Sequence, residues 1–194
     1  MKRFILFNLF LFGCWLATAQ NYPQLTNARF KLNVSTGVQL PMKSFSDGAK
    51  TGFGGEFNAK YLVNGNIGIG LGVGYYTFGL KDIYEHGHPL HNSLKGNYSI
   101  IPIVGKFSYA FGPFTLKPYL GADLGLYIYG LNHEYPAEWG GLKSLGSDNI
   151  FGFAPVFGFE YSISENFGLD INTKCNFFNN LCTVAVSAGI VISF

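Results

Sequence analysis

The feature of this 194-residue sequence that most restricts its fold is a regular alternation of apolar with small or polar side chains. The C-terminal VAVSAGIVISF is a clear instance, because every second residue from Val184 to Phe194 is apolar. Successive side chains of a β-strand point to opposite faces, whereas the faces of a helix repeat about every 3.6 residues. The pattern therefore predicts strands that are apolar on one face only.

The alternation recurs in eight segments of the chain. They comprise residues 29–40, 53–63, 67–76, 98–109, 116–130, 151–162, 167–177 and 184–194. Each is close to the length of roughly ten residues that a tilted membrane-spanning strand needs. The length and the even number of these strands predict an all-β fold. The expected architecture is an eight-stranded antiparallel up-and-down transmembrane β-barrel.

The connections between the segments differ in length in a way that supports this fold. Those at 64–66, 111–114 and 164–166 are short, those at 41–50, 80–95 and 131–149 are long and polar, and the last, 178–181, is brief. Short turns at one end and long loops at the other are typical of transmembrane barrels. A soluble sandwich or lipocalin also alternates, but here the apolar face is almost free of charge and is crowded with aromatic residues.

The charged residues of the strands fall on the opposite face, which we predict lines the lumen. They are Lys31, Glu56, Lys60, Lys106, Asp123, Glu160, Asp170 and Lys174. An eight-stranded barrel has an interior only wide enough for side chains, and a buried charge without a partner costs several kcal/mol. The equal numbers of acids and bases therefore favour ion pairs that plug the lumen over side chains that line an aqueous path.

The N-terminus has the organisation of a secretory signal peptide. Lys2 and Arg3 precede an apolar run, and Ala17-Thr18-Ala19 forms a small-residue cleavage site. We therefore predict a signal peptide over residues 1–19 and a barrel over residues 20–194. The run is too short for a membrane anchor, which needs about 20 residues, and lipoprotein processing at Cys14 fits the sequence less well.

Cleavage would leave two cysteines, Cys175 and Cys182, in an oxidising compartment. If the last hairpin turns at Phe178-Asn179, the two residues face each other across the strand pair. Directly opposed residues are close enough for a disulfide, which we predict. The alternative is two free thiols.

The motif EHGHPLH in the second long connection is the one candidate for metal chemistry. His86, His88 and His91 are weak candidate ligands, because closely spaced imidazoles can share a zinc or copper ion. A polar, turn-rich outer loop is the favoured interpretation, because Gly87 and Pro89 provide no rigid scaffold for a metal. We predict no catalytic residue and no cofactor, since no nucleophile motif surrounds Ser93, and the net charge of +2 gives no indication of nucleic-acid binding.

Three stretches also carry a family resemblance: IPIVGKF at Ile101–Phe107, LKPYLGADLGL at Leu116–Leu126 and the terminal IVISF. The chain resembles the small OmpA/OmpX-type outer-membrane proteins, in the group called outer-membrane-protein β-barrel domain. The resemblance implies the outer membrane of a Gram-negative bacterium and contact with its lipid. It further implies that Phe194 forms part of the signal read by the outer-membrane assembly machinery.

Together these observations predict an outer-membrane barrel with a plugged polar interior. It would act through its surface loops in envelope integrity, adhesion or the binding of a partner whose identity the sequence does not reveal. One loop segment, Asn132–Gly141, contains Tyr135 and Trp139, residue types favoured in binding hot spots. The alternatives are a narrow passive pore and a loop-borne metal binder or lipid-modifying enzyme.

Overall fold

The computed structural model describes residues 29–81, 84–85, 88–89, 95–112, 115–134, 143–179 and 181–194. Eight of its strands form one sheet. They are β1 (Phe30–Met42), β2 (Ala49–Asn64), β3 (Ile67–Leu80), β4 (Lys95–Ala110), β5 (Leu116–Glu134), β6 (Lys143–Ser162), β7 (Phe167–Phe178) and β8 (Leu181–Ser193). In the described part of the chain, no helix is long and apolar enough to cross a membrane.

The eight strands close into an antiparallel up-and-down barrel, as the sequence predicts. Each strand pairs with its neighbours in the chain, and β1 pairs with β8 to close the cylinder. Beyond this ladder, Phe30 and Phe194 exchange two backbone hydrogen bonds, with N···O distances of 3.2 and 2.9 Å. Closure leaves no free sheet edge where the strands cross a membrane, which is the condition for spanning a bilayer with strands.

The predicted faces of the strands are confirmed. Apolar side chains point outward and stay exposed, including Leu71 at 71% and Phe194 at 63% of full exposure. The charged residues point into the lumen, where Asp123 is 1% and Lys174 is 3% exposed. The molecule therefore has its apolar surface outside, as a protein whose solvent is lipid requires.

The predicted connection at 131–149 is too long, because β5 continues to Glu134 and β6 begins at Lys143. The extra strand residues do not alternate clearly between apolar and polar types, so the period-two pattern could not find them. Strand segments beyond the bilayer have no lipid-facing side that must be apolar. The connection between β1 and β2 contains a four-residue helix, α1 (Phe45–Gly48), and a short ribbon pairs Tyr84–Glu85 with His88–Pro89.

The predicted disulfide between Cys175 and Cys182 is wrong for this structure, in which both thiols are free. The turn begins one residue later than predicted, so that Phe178 pairs with Leu181 and Asn179 adopts a φ of 51°. Asparagine tolerates this left-handed conformation better than most residues. The later turn places Cys175 opposite Val184, and the two cysteines are no longer directly opposed.

Candidate functional site in the barrel lumen

The lumen is the candidate site, because the predicted charged side chains meet there. Four of them form an upper charge cluster, nearer the long loops: Glu56, Lys106, Asp123 and Lys174. Lys106 Nζ lies 2.6 Å from Asp123 Oδ2 and 3.4 Å from Glu56 Oε2, and Lys174 forms an ion pair with Glu56. Each lysine contacts both acids, since Lys174 Nζ is also 3.7 Å from Asp123 Oδ2. The two acids and two bases thus balance each other.

A second group lies nearer the short turns. This lower charge cluster consists of Lys31, Lys60, Lys117, Glu160 and Asp170. Lys31 forms an ion pair with Glu160, and Lys117 is the register partner of Glu160 on the neighbouring strand. Asp170 accepts hydrogen bonds from Tyr119 Oη at 2.8 Å and from Asn172 Nδ2 at 2.6 Å. The eight predicted interior residues all reach the lumen, and Lys117 joins them.

Glycines of β3 make the room that these long side chains occupy. A Cβ atom on Gly74 would come within 2.6 Å of Glu56 Cγ, and one on Gly72 within 2.4 Å of Asn58 Oδ1. Both distances are shorter than any ordinary van der Waals contact. The glycine side of the alternation in β3 is therefore needed for the charged side chains to pass each other inside the barrel.

Above the charges, a chain of uncharged polar groups crosses the lumen. Tyr127 Oη donates to Asn176 Oδ1 at 3.4 Å, Asn176 Nδ2 donates to Thr183 Oγ1 at 2.9 Å, and Thr183 Oγ1 donates to Gln39 Oε1 at 3.0 Å. All four residues are almost fully buried. Buried polar groups are stable only when they find such partners.

At the long-loop end the lumen is covered by an aromatic cap, formed by Phe45, Phe78, Tyr98 and Tyr129. The ring of Phe45 on α1 lies 5.2, 5.7 and 6.4 Å from the rings of Phe78, Tyr98 and Tyr129. The backbone N–H of Lys81 donates to the carbonyl oxygen of Gly48 at 2.9 Å, and its ammonium donates to the carbonyl oxygen of Ser46 at 2.6 Å. These bonds hold α1 across the mouth.

The space left between these layers is small. One cavity of about 30 Å³ lies between the two charge clusters, with Asn33, Asn58, Lys60 and Tyr119 among its lining residues. A polar space of this size has room for about two water molecules. It is far below the roughly 300–1,000 Å³ of a typical organic ligand site, so this cavity has room only for water or a small ion.

The side chains of the candidate metal ligands lie outside the described part of the chain. His86 and His91 lie outside the described residues, as do Ser93, Tyr135 and Trp139, and His88 is described only as a backbone position of the short ribbon. Within the described residues, no group of three or more His, Cys, Asp or Glu side chains could hold a metal ion.

Sequence reasoning missed the aromatic cap. Phe78 could have been found by extending the inward phase of β3 past Gly74, which places Tyr76 and Phe78 on the lumen side. Phe45 carries no comparable signal, because it belongs to a loop and reaches the lumen only through the fold of α1.

Comparison with known proteins agrees with this architecture. Neisserial surface protein A has 21% sequence identity and a TM-score of 0.62, over 86% of this chain and 98% of that structure. Ail, the attachment invasion locus protein of Yersinia pestis, has 12% identity and a TM-score of 0.58, over 87% of this chain and 100% of that structure. At these identities the likeness concerns the fold alone.

The outer-membrane protein y4mB of Sinorhizobium fredii, itself uncharacterized, is 29% identical over 120 residues. This match covers 61% of the chain and 48% of y4mB, so the chain spans about half the length of this relative. The model of the family described as outer membrane protein beta-barrel domain matches residues 9–194. The chain therefore belongs to the outer membrane protein beta-barrel domain family and is a protein of the outer membrane.

Proposed function

We propose that this barrel is closed to solutes and acts through its outer surface, by binding a partner outside the cell. The observation that carries the proposal is the filling of the lumen by three successive layers: the aromatic cap, the polar chain from Tyr127 to Gln39, and the two charge clusters. A conducting path would have to displace side chains in every layer.

The ion pairs oppose such a displacement. Glu56, Asp123 and Lys174 are each no more than 7% exposed, so separating them would leave charges without partners in a poorly solvated interior. Each separation would cost several kcal/mol, because a buried charge would lose its partner. A passive pore instead needs charged side chains that face an open, hydrated path.

The outer surface offers a feature suited to a partner. β4, β5 and β6 extend together at the long-loop end, with Lys95 paired to Glu134 and Glu134 to Lys143. β6 pairs with β7 only from Gly152 onward. Its residues 143–151 therefore have a strand neighbour on one side only, as far as the described residues show.

An unpaired strand edge exposes N–H and C=O groups that an extended peptide can bind. We propose that a segment of another protein adds to this edge of β6 as a further strand. Ail, which shares the barrel fold, is an attachment invasion locus protein. For this chain, the proposed binding at the β6 edge is based on the pairing of β6 with its two neighbouring strands.

Planar-bilayer conductance tests the closed lumen. Refolded protein, checked by a heat-dependent gel shift, is expected to give no steady channel openings. Steady openings would contradict the proposal. The lysines of the two clusters would then be the first pore-lining residues to replace, because charge at a constriction sets the selectivity of a narrow pore.

Amide hydrogen exchange tests the edge. Alternate amides of residues 143–151 are expected to exchange much faster than those of residues 156–161, which are paired on both sides. A protein partner that binds the edge should slow the same amides. Uniform protection along β6 without a partner would show that the edge is already covered.

We also propose that residues 1–19 are removed on export and that Phe194 takes part in recognition by the assembly machinery. Phe194 closes the barrel beside Phe30 and is exposed toward the lipid. The mass of the protein purified from the outer membrane tests cleavage after Ala19. Deletion of Phe194 should lower the amount of folded protein in that membrane.

A further inference from the structure

The exposed charges at the two ends of the barrel differ, and the difference points to an anionic ligand at the long-loop end. Three exposed lysines lie where β1, β2 and β3 reach that end, and they form a lysine rim: Lys43, Lys50 and Lys81. Asp47 on α1 is the one exposed acid beside them among the side chains that the structure describes. At the short-turn end, the exposed charged side chains in the described ranges are Arg29 and Glu165, which balance each other.

The lysine rim lies on one side of the barrel mouth. Asp148, the other exposed acid described at this end, belongs to β6, which is opposite β2 in the closed sheet. No ion pair found among the described residues involves a lysine of the rim. Lys81 donates to the carbonyl oxygen of Ser46, but a neutral carbonyl does not cancel its charge. This side of the mouth therefore has a surplus of positive charge.

The outer surface directly below the lysine rim is apolar. Met42 on β1 is 45% exposed and Phe53 on β2 is 62% exposed. Lys43 follows Met42 directly, and Lys50 precedes Phe53 by three residues. The two lysines thus lie where the lipid-facing apolar band ends, and in a membrane this is the level of the lipid headgroups.

Lys50 lies against the outer face of the neighbouring strand. A Cβ atom on Gly79 of β3 would be 3.6 Å from Lys50 Cδ, so the stem of the lysine passes over this glycine. Gly79 has the same parity as Tyr75, which is on the lipid side of β3 and 52% exposed. The stem of Lys50 therefore runs outside the barrel and not over the lumen, as a lysine does when its stem covers apolar surface and its ammonium reaches the headgroups.

We propose that the lysine rim binds an outer-leaflet lipid whose headgroup carries a negatively charged phosphate. The phosphate contacts Lys43 and Lys50, and the acyl chains cover the apolar surface of β1 and β2 below them. A soluble anion would satisfy the charge but would leave that apolar surface uncovered. This surface is separate from the β6 edge, so the inference does not depend on the proposed function.

Native mass spectrometry of the refolded protein, released from neutral detergent micelles, tests the proposal. Three probes are titrated separately: phosphatidic acid, phosphatidylcholine and inorganic phosphate. Phosphatidic acid combines an anionic phosphate with acyl chains, whereas phosphatidylcholine has no net charge and inorganic phosphate has no chains. We expect phosphatidic acid to bind most tightly. If it binds no more tightly than either of the other two probes, the proposal is overturned.

Single substitutions locate the binding. Lys43→Gln and Lys50→Gln should each weaken the binding of phosphatidic acid by about fivefold, the contribution expected of one lysine at an anionic lipid surface. Arg29→Gln is the matched control, because it removes one exposed positive charge at the short-turn end, and it should leave the affinity unchanged. Equal losses in Arg29→Gln and Lys50→Gln would mean a response to net charge alone and would overturn the proposal.

The heat-dependent gel shift shows whether each variant is folded. Lys43 has a φ of 54°, a conformation that asparagine tolerates better than most residues. If Lys43→Gln does not refold, Lys43→Asn takes its place and should weaken the binding of phosphatidic acid to the same extent. Unchanged affinity in both the Lys43 and the Lys50 variants would overturn the assignment of the phosphate to the lysine rim.

Discussion

The aromatic cap and the upper charge cluster fill the lumen by different physical means. Near the long loops, Phe45 and Phe78 are 5% and 0% exposed and pack with two tyrosine rings. Deeper inside, Lys106 and Lys174 each reach two carboxylates. Apolar packing is non-directional and is lost in proportion to the area exposed, whereas a buried ion network leaves an uncompensated charge as soon as one member is removed.

Substitutions in the cap and in the upper charge cluster should therefore have different consequences. The cap is carried by α1, a four-residue helix held by two hydrogen bonds from Lys81, so it can separate from the mouth without opening the sheet. The upper charge cluster joins strands from opposite sides of the barrel, since Glu56 on β2 pairs with Lys174 on β7. Loss of the upper charge cluster should therefore destabilise the whole barrel.

The largest effect is expected for Glu56→Gln. The substitution removes the negative charge shared by Lys106 and Lys174 and leaves two buried ammonium groups with one carboxylate. Breaking a buried pair in this way costs about 3–5 kcal/mol. Urea unfolding of the refolded protein in lipid vesicles, followed by the β-strand signal in circular dichroism, measures the loss.

Glu165→Gln is the matched control, because Glu165 is exposed in the short turn after β6. It should change the free energy of unfolding by less than about 0.5 kcal/mol. Equal effects of the two substitutions would show that the upper charge cluster does not stabilise the barrel.

A smaller effect is expected for Phe45→Ala. Removing a buried phenylalanine ring costs about 3–5 kcal/mol in a rigid core, but separation of α1 limits the cost to the free energy with which the cap is held. We expect about 2 kcal/mol in the same unfolding measurement, and a smaller loss for Phe45→Leu, which keeps most of the apolar volume.

Conductance separates the cap from the charges. Phe45→Ala alone should leave the bilayer silent, because the ion pairs below the cap remain. Combined with Glu56→Gln, the same change removes parts of two layers, and we expect brief openings. Steady openings of Phe45→Ala alone would mean that the cap, and not the charged layer, closes the lumen.

The contrast between the aromatic cap and the upper charge cluster also explains how much the sequence could predict. The period-two pattern located all eight barrel strands and put every charged member of the upper cluster on the inner face. A strand fixes the direction of a side chain by parity alone, so residues as distant as Glu56 and Lys174 could be placed in one lumen. Which lysine meets which acid depends on how the strands are staggered around the barrel, and parity does not determine that.

The alternation could predict neither the aromatic cap nor the relative position of the two cysteines. Phe45 reaches the lumen through a loop, where no periodicity applies. Cys175 and Cys182 have the parities expected, but a turn that starts one residue later shifts the register between their strands. The position of the turn at Asn179 decides whether the two thiols face each other, and the alternation does not determine that position.

The smallest effect is expected in the lower charge cluster, for Tyr119→Phe. The substitution removes the hydroxyl that donates to Asp170 Oδ1 at 2.8 Å but keeps the ring that faces Lys60. Asp170 still accepts a hydrogen bond from Asn172, so only one bond to a charged group is lost, at a cost of about 1.5–3 kcal/mol. Water from the adjacent cavity can replace part of that bond, and we expect the lower end of this range.

Tyr75→Phe, on the lipid side of the same barrel and 52% exposed, is the control and should cost less than about 0.5 kcal/mol in the same urea titration. If the two substitutions cost the same, the hydroxyl of Tyr119 does not support Asp170, and the lower cluster would be held by the pair of Lys31 and Glu160 alone.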